Sequence, residues 1–248
     1  MEWFGENPPT AIVVGGASGI GRATCELLAK EGYRVAVADR DKRSADEVAH
    51  HIDGHAFEVD VTDERSVAAL FDAAVETFGG TLDALAIPAG IADTTTFMEI
   101  SVDTFRRVND VNVIGTFLCI REAAKRMRSG GRICTVASVA GKRGGGLSGT
   151  AAYAASKGAV LALSRSAARA LAPLGIVVNC VAPGPTLTPM LDEPFSKAEQ
   201  RERVESMTLL GRSAEAREIA EAIAWLLSPR SSYVAGETLT VDGGLMLD

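Results

Sequence analysis

Short, uninterrupted apolar runs alternate with longer stretches of helical periodicity throughout this 248-residue chain. The runs are Ala11–Val14, Val35–Ala38, Ala56–Val59, Ala84–Ile87, Arg132–Val136, Ile176–Val181 and Thr238–Val241. Runs of this length, with little polar alternation, read as strands buried on both faces. Between them apolar residues recur at steps of three and four, as at Ala23, Leu27 and Leu28 ahead of Gly32, which is the period of a helix with one buried face. Longer helices are predicted around Ser101–Arg128 and Thr150–Ala172, and a last one over Glu215–Leu227. This alternation predicts an α/β chain: a doubly wound, parallel seven-stranded sheet with helices on both faces. At 248 residues, without repeat or linker, one domain over residues 1–248 is expected.

The first strand runs into Gly15-Gly16-Ala17-Ser18-Gly19-Ile20-Gly21 and then into a helical pattern. Glycines there permit a tight turn and close approach of backbone to a pyrophosphate, seated on the positive end of the helix. The second strand ends in Asp39, twenty residues beyond Gly19, near where a carboxylate would hold the adenosine ribose. A Rossmann-type dinucleotide site is therefore predicted. The acid favours NAD and repels a 2′-phosphate, so NADP is the poorer fit, although Arg22 and Arg40 lie close in sequence.

Tyr153 and Lys157 are four residues apart on a predicted helix, so they share a face. Ser138 follows a buried strand, at the strand end where ligands bind in open α/β sheets. A free phenol has a pKa near ~10, too high for efficient acid/base work at neutral pH. A lysine charge one turn away would lower it. Ser138 is also placed to cap the strand end, and Asn112 to serve as a buried polar residue tied to backbone.

Taken together these features resemble the short-chain dehydrogenase/reductase family. The match rests on G-x-x-x-G-x-G over Gly15, Gly19 and Gly21, Asp60-Val61 after the third strand, and Asn112 in Val-Asn-Val. It continues through Ser138, Tyr153-Ala154-Ala155-Ser156-Lys157, Pro183-Gly184 followed by Thr188, and the closing Val241-Asp242-Gly243-Gly244. The resemblance implies catalysis by Asn112, Ser138, Tyr153 and Lys157. Lys157 would also bind the nicotinamide ribose, and Asn112 would hold a water linking Lys157 to solvent. It implies cofactor contacts from Gly15, Ser18, Gly19, Ile20 and Gly21, from Asp39, Asp60, Val61, Ala89 and Gly90, and from Pro183, Gly184 and Thr188. Two positions depart from the pattern: Val14 stands where the family usually has Thr, and Ile87-Pro88 where it has Asn-Asn. The lost amides remove hydrogen bonds between central strands, and Pro88 suits a strand end.

A net charge of −7 argues against a nucleic-acid or anionic-membrane partner. Cys25, Cys119, Cys134 and Cys180 are scattered without C-x-x-C, which fits a reducing cytoplasm, and no secretory signal pattern opens the chain. The 22 uncharged residues from Ala170 to Leu191 are long enough for a membrane span. Their four prolines argue instead for a buried strand and a ligand loop. His50, His51 and His55 have no partners at ligand spacing, so no metal site is expected.

Residues 185–207 read as a substrate lid. Leu187, Met190 and Leu191 there, with Val139 and Leu147 after Ser138, predict an apolar wall and hence an apolar secondary alcohol or ketone as substrate. Two alternatives are an NADPH-dependent reductase of a carrier-bound 3-oxoacyl group and a nucleotide sensor that keeps the fold without turnover. The family resemblance implies a homotetramer built on the two long central helices, the final helix and the last strand.

Overall fold

The computed structural model describes residues 8–145, 151–192 and 196–247. Its main strands are β1 (Thr10–Val14), β2 (Arg34–Asp39), β3 (His55–Glu58), β4 (Ala84–Ile87), β5 (Arg132–Val136) and β6 (Val177–Pro183). A two-residue pair, β7 (Thr186–Leu187) with β8 (Ala214–Glu215), follows, and β9 (Thr238–Val241) closes the sheet. All seven large strands are parallel, in the order β3-β2-β1-β4-β5-β6-β9. The chain winds outward from β1 to β3 and then returns to β4, so the winding reverses between β1 and β4. A crevice opens beyond the strand ends at such a reversal.

The helices are α1 (Gly19–Lys30), α2 (Lys42–His51), α3 (Glu64–Thr77), α4 (Val102–Asn109), α5 (Gly115–Ala124) and α6 (Val139–Arg143). They continue with α7 (Ala151–Leu171), α8 (Pro189–Asp192), α9 (Ala198–Glu205) and α10 (Ala216–Leu227). Successive strand residues feed opposite layers. Val13 and Val37 pack with Leu28 of α1, Val48 of α2 and Ile223 of α10. Ile12 and Leu85 pack with Phe71 of α3, Cys119 of α5 and Ala167 of α7. This two-faced burial is why the strands read as continuous apolar runs.

Three of the predicted strands, at Ala84–Ile87, Arg132–Val136 and Thr238–Val241, match the structure end to end, and the others shift by one or two residues. β2 begins at Arg34 because its main chain pairs with Thr10, while its guanidinium donates to the Thr77 and Phe78 carbonyls ending α3. β6 extends to Pro183, opposite Val241. The uncharged stretch from Ala170 to Leu191 holds the end of α7, a short 3₁₀ turn, β6, β7 and most of α8. No helix among the described residues is long and apolar enough to cross a membrane. His50 and His51 end α2 and His55 opens β3, and no cluster of metal-binding side chains occurs among the described residues.

The helix predicted over Ser101–Arg128 is not continuous. Ser101 caps α4, and Asp110–Ile114 forms one π-helical turn before α5. Within it the Gly115 N–H reaches back five residues to Asp110 O, and the Thr116 hydroxyl takes the Asn112 carbonyl at 2.7 Å. A π turn of this kind often marks a functional site. Pro88 falls just past the end of β4, where its missing N–H interrupts no ladder bond.

The glycine-rich turn ties β1 to both of its neighbours. Gly15 and Gly16 donate to Ala38 O at 2.7 and 3.1 Å, and Ala89 N donates to Val14 O at 2.9 Å. Gly15 sits at φ +87°, and a Cβ there would lie 2.6 Å from the Ala89 backbone. At Gly21 a Cβ would lie 1.8 Å from Gly15 O. Neither neighbour is a flexible side chain able to move aside. Gly21→Ala should therefore destabilise the protein by about 3 kcal/mol, the upper end of overpacking costs, or roughly 6–12 °C in Tm. Thermal unfolding followed by circular dichroism checks this, and a Tm within a degree of wild type would contradict it.

Candidate active site

A cleft of about 550 Å³ opens at the carboxyl ends of β1, β2, β4, β5 and β6. Its floor is the glycine-rich turn. Gly15, Ser18, Gly19, Ile20 and Gly21 all face it, at the start of α1. The first amides of a helix have no partner within it, and the Ser18 hydroxyl makes no capping bond to α1. Amides, a spare hydroxyl and the partial positive charge of the helix end suit a phosphate group.

Asp39 lies at the exit of β2 on the cleft wall, with Arg40 beside it. Its two carboxylate oxygens accept from Ala17 N and Asp41 N, each at 3.1 Å. The acid thus braces the glycine turn as well as facing the cleft. Asp60 and Val61 line the same end. Thr62 donates to Asp60 through both its amide and its hydroxyl, and these bonds hold the Asp60 carboxyl below the usual carboxylate range. Ala89 and Gly90 form the middle of the wall, and Pro183, Gly184 and Thr188 the opposite side. Thr188 packs on the turn itself: a Cβ on Gly19 would meet its methyl at 3.1 Å.

The deep end of the cleft holds the acid/base candidates. Ser138 stands two residues beyond β5 and caps α6, accepting from Ala140 N at 3.1 Å. Tyr153 and Lys157 come one turn apart from the first half of α7. α6 and α7 approach so closely that a Cβ on Gly141 would lie 2.6 Å from the Lys157 carbonyl carbon. The Ser138 hydroxyl lies near enough to the Tyr153 phenol to oppose the effect of burial on it. Lys157 is buried, donates to Val136 O at 2.8 Å, and lies 5.7 Å from the centre of the Tyr153 ring.

Burial dominates the electrostatics of this trio. Loss of solvent pushes the Tyr153 phenol up, and the Ser138 hydrogen bond opposes that. Loss of solvent pulls Lys157 down to about 8. From the sequence Lys157 is expected to lower the phenol through its charge; in the structure desolvation is the larger effect on both groups, and it drives their affinities for a proton apart, the phenol upward and the lysine down to about 8.

Asn112 lies behind this trio, next to Ser156. It is fully buried beneath the cleft wall and its carboxamide is bound to protein: Oδ1 accepts from Ile91 N at 2.8 Å, and Nδ2 donates to Ile91 O and Ser156 Oγ, both at 2.9 Å. It acts as a clamp on the strand-exit segment that follows β4, where Ile87-Pro88 replaces two amides. Of the predicted substrate wall, Val139, Met190 and Leu191 line the cleft. Leu187 does not; it sits in β7, opposite Glu215. Leu147 lies outside the described residues. The predicted lid over 185–207 holds β7, α8 and α9. Among the further cleft residues, Ile91, Arg107 and Val204 had no sequence signal, whereas Thr62 stands two residues after Asp60 in a recurrent turn pattern.

Known proteins resemble this chain over nearly its whole length. A family model described as enoyl-(acyl carrier protein) reductase matches residues 15–246. The cis-4-hydroxycyclohexanecarboxylate dehydrogenase of Sinomonas cyclohexanicum is 41% identical, over 94% of this chain and 95% of its own. The 3-oxoacyl-[acyl-carrier-protein] reductase of Staphylococcus aureus strain Mu50 is 36% identical, over 96% of this chain and 98% of its own. A crystal structure of a dehydrogenase/reductase from Sinorhizobium meliloti 1021 superposes with a TM-score of 0.89 at 35% identity, covering 96% of this chain and 95% of that one. The chain belongs to the short-chain dehydrogenase/reductase family of nicotinamide-dependent oxidoreductases.

The depressed Lys157 has a consequence for stability. Below pH 8 the lysine is protonated whether the chain is folded or not, and its buried charge is a cost. Between 8 and its ordinary 10.5 only the unfolded chain keeps that proton, so the lysine's contribution to stability rises with pH. The gain is of order 3 kcal/mol. In urea unfolding of the ligand-free protein, wild type should gain on Lys157→Met from pH 8 to 10; the cysteines and Tyr153 titrate in both chains and largely cancel. A difference independent of pH would rule out the buried ammonium.

Proposed function

We propose that this chain is an NAD-dependent dehydrogenase of apolar secondary alcohols, working in reverse as a ketone reductase. The observation that carries this reading is the convergence of Ser138, Tyr153 and Lys157 at the deep end of a cleft whose floor is a phosphate-fitting helix start. In this reading Gly15, Ser18, Gly19, Ile20 and Gly21 hold the pyrophosphate, and Asp39 the adenosine ribose. Asp60, Val61, Ala89 and Gly90 line one side of the dinucleotide, Pro183, Gly184 and Thr188 the other. Bound nicotinamide supplies the hydride acceptor or donor.

The chain's own groups handle the proton. In oxidation Tyr153 Oη takes the proton from the substrate hydroxyl, and in reduction it returns it. Ser138 Oγ donates to the substrate oxygen, holding it within reach of the phenol and stabilising charge as it develops. Lys157 binds the nicotinamide ribose and, protonated, favours the phenolate. Asn112 holds the wall segment Gly90–Ile91 through the three hydrogen bonds of its carboxamide. Asp39 supports NAD over NADP, since its charge opposes a 2′-phosphate. It also weighs against the alternative that the Staphylococcus aureus relative raises, a 3-oxoacyl carrier-protein reductase.

Val139, Met190 and Leu191 supply apolar surface, with the 185–207 segment as the lid. Each buried methylene of substrate adds about 0.8 kcal/mol. The Sinomonas relative, named for cis-4-hydroxycyclohexanecarboxylate, supports an alicyclic ring carrying the hydroxyl. Four buried free cysteines support a reducing cytoplasm. Phe105, Ile114 and Phe117, apolar and exposed along α4 to α5, support self-association into a homotetramer.

Secondary alcohols graded in size, assayed with NAD and NADP, test the reading. Efficiency should rise from short chains to alicyclic and aryl alcohols, with polyols poor and NAD preferred. Tyr153→Phe should lower kcat by at least about 100-fold with NADH affinity, read by fluorescence titration, nearly unchanged. Retained activity in that variant, or preference for polyols or NADP, would overturn the corresponding part. Sedimentation equilibrium at micromolar protein should report four chains per particle, and monomer alone would refute the assembly.

A further inference from the structure

Ser156 is fully buried on α7, between Tyr153 and Lys157. Its hydroxyl donates back to Tyr153 O at 2.8 Å, a common helical use of serine that fixes where its lone pairs point. Those lone pairs face the π turn and accept from Asn112 Nδ2 at 2.9 Å. Asn112 passes the constraint on, since its remaining two hydrogen bonds go to the N–H and C=O of Ile91 in the cleft wall. Gly90, one residue before, packs against both neighbours: a Cβ there would lie 3.2 Å from Asn112 Oδ1 and 3.2 Å from Lys157 Nζ. A continuous run of hydrogen bonds thus joins the backbone of Tyr153 to the wall beside Lys157.

We infer that Ser156 is a positioning residue, acting through the Asn112 carboxamide to lock the Gly90–Ile91 wall against the acid/base helix. The inference rests on the dehydrogenase reading above. Without the Ser156 hydroxyl one amide hydrogen of Asn112 is left buried and unpartnered, a state that proteins avoid. The carboxamide then has only Ile91 to orient it. Val14, which replaces a hydroxyl residue, and Ile87-Pro88, which replaces two amides, leave little other side-chain hydrogen bonding to hold this wall. The Ala89 N to Val14 O bond remains on its far side.

A double-mutant cycle with an exchange measurement tests this. Ser156→Ala should lower kcat about ten-fold, the factor expected for one buried hydrogen bond, with NADH affinity within about two-fold of wild type. In an Asn112→Ala background the same change should alter kcat less than about two-fold, because the residue it acts through is gone. Amide hydrogen exchange of ligand-free Ser156→Ala should be faster at Ile91, whose N–H is bound to Asn112, with exchange in β5 unchanged. Equal losses of kcat in both backgrounds, or unchanged Ile91 exchange, would overturn the inference. If Asn112→Ala does not fold, the Ile91 exchange decides alone. Wild type that turns over no alcohol would instead refute the dehydrogenase reading, while Ile91 exchange would still decide the role of Ser156.

Discussion

The exits of β1, β2 and β4 converge within a few ångströms, and there is no room for a side chain where they meet. Gly21 must pass over Gly15 O, and Gly15 must pass beside the Ala89 backbone, at distances only glycine allows. From this contact the rest follows. The first helix starts directly over the sheet, its free amides point into the crevice, and the Ala38 and Val14 carbonyls are occupied by the turn and by Ala89. Asp39 reinforces the arrangement by accepting from Ala17 N, so one carboxylate both shapes the turn and sets the charge beside it.

The deep end of the cleft depends on a second constraint, the removal of water from a phenol and an ammonium one helical turn apart. Desolvation always penalises the charged form, so it moves the two groups in opposite directions: the tyrosine up, the lysine down. Their ordinary affinities for a proton lie close, so these opposite shifts separate them and favour a neutral phenol beside a lysine near 8. Ser138 counters part of the effect on the phenol. At Gly141, α6 packs directly on the backbone of Lys157 in α7, where a side chain would not fit.

The departures from the family pattern show how such a site tolerates substitution. Two amides are absent after β4, yet the wall there is held on one side by Ala89 N to Val14 O and on the other by the Asn112 carboxamide. Pro88 is harmless because it stands one residue beyond the ladder. Asn112 reaches Ile91 from a π turn of the helix carrying it, and the Thr116 hydroxyl donates to its carbonyl.

The sequence alone determined the parallel sheet, the helices that flank it, the dinucleotide turn and the family. Each of these is written locally: in apolar runs buried on both faces, in glycine spacing, and in residues a fixed distance apart on one helix. Strand ends were legible to within a residue or two, because where a ladder stops depends on the neighbouring strand as well as on the run itself. Only the tertiary structure decided that Leu187 stands outside the cleft, that Asn112 binds Ile91 and Ser156, and that Arg107 reaches the rim. Ser156 and Ile91 are 65 residues apart in sequence, and no local pattern links them. They meet through Asn112 because burial leaves each polar group seeking whichever partner the packed sheet and helices bring within 3 Å.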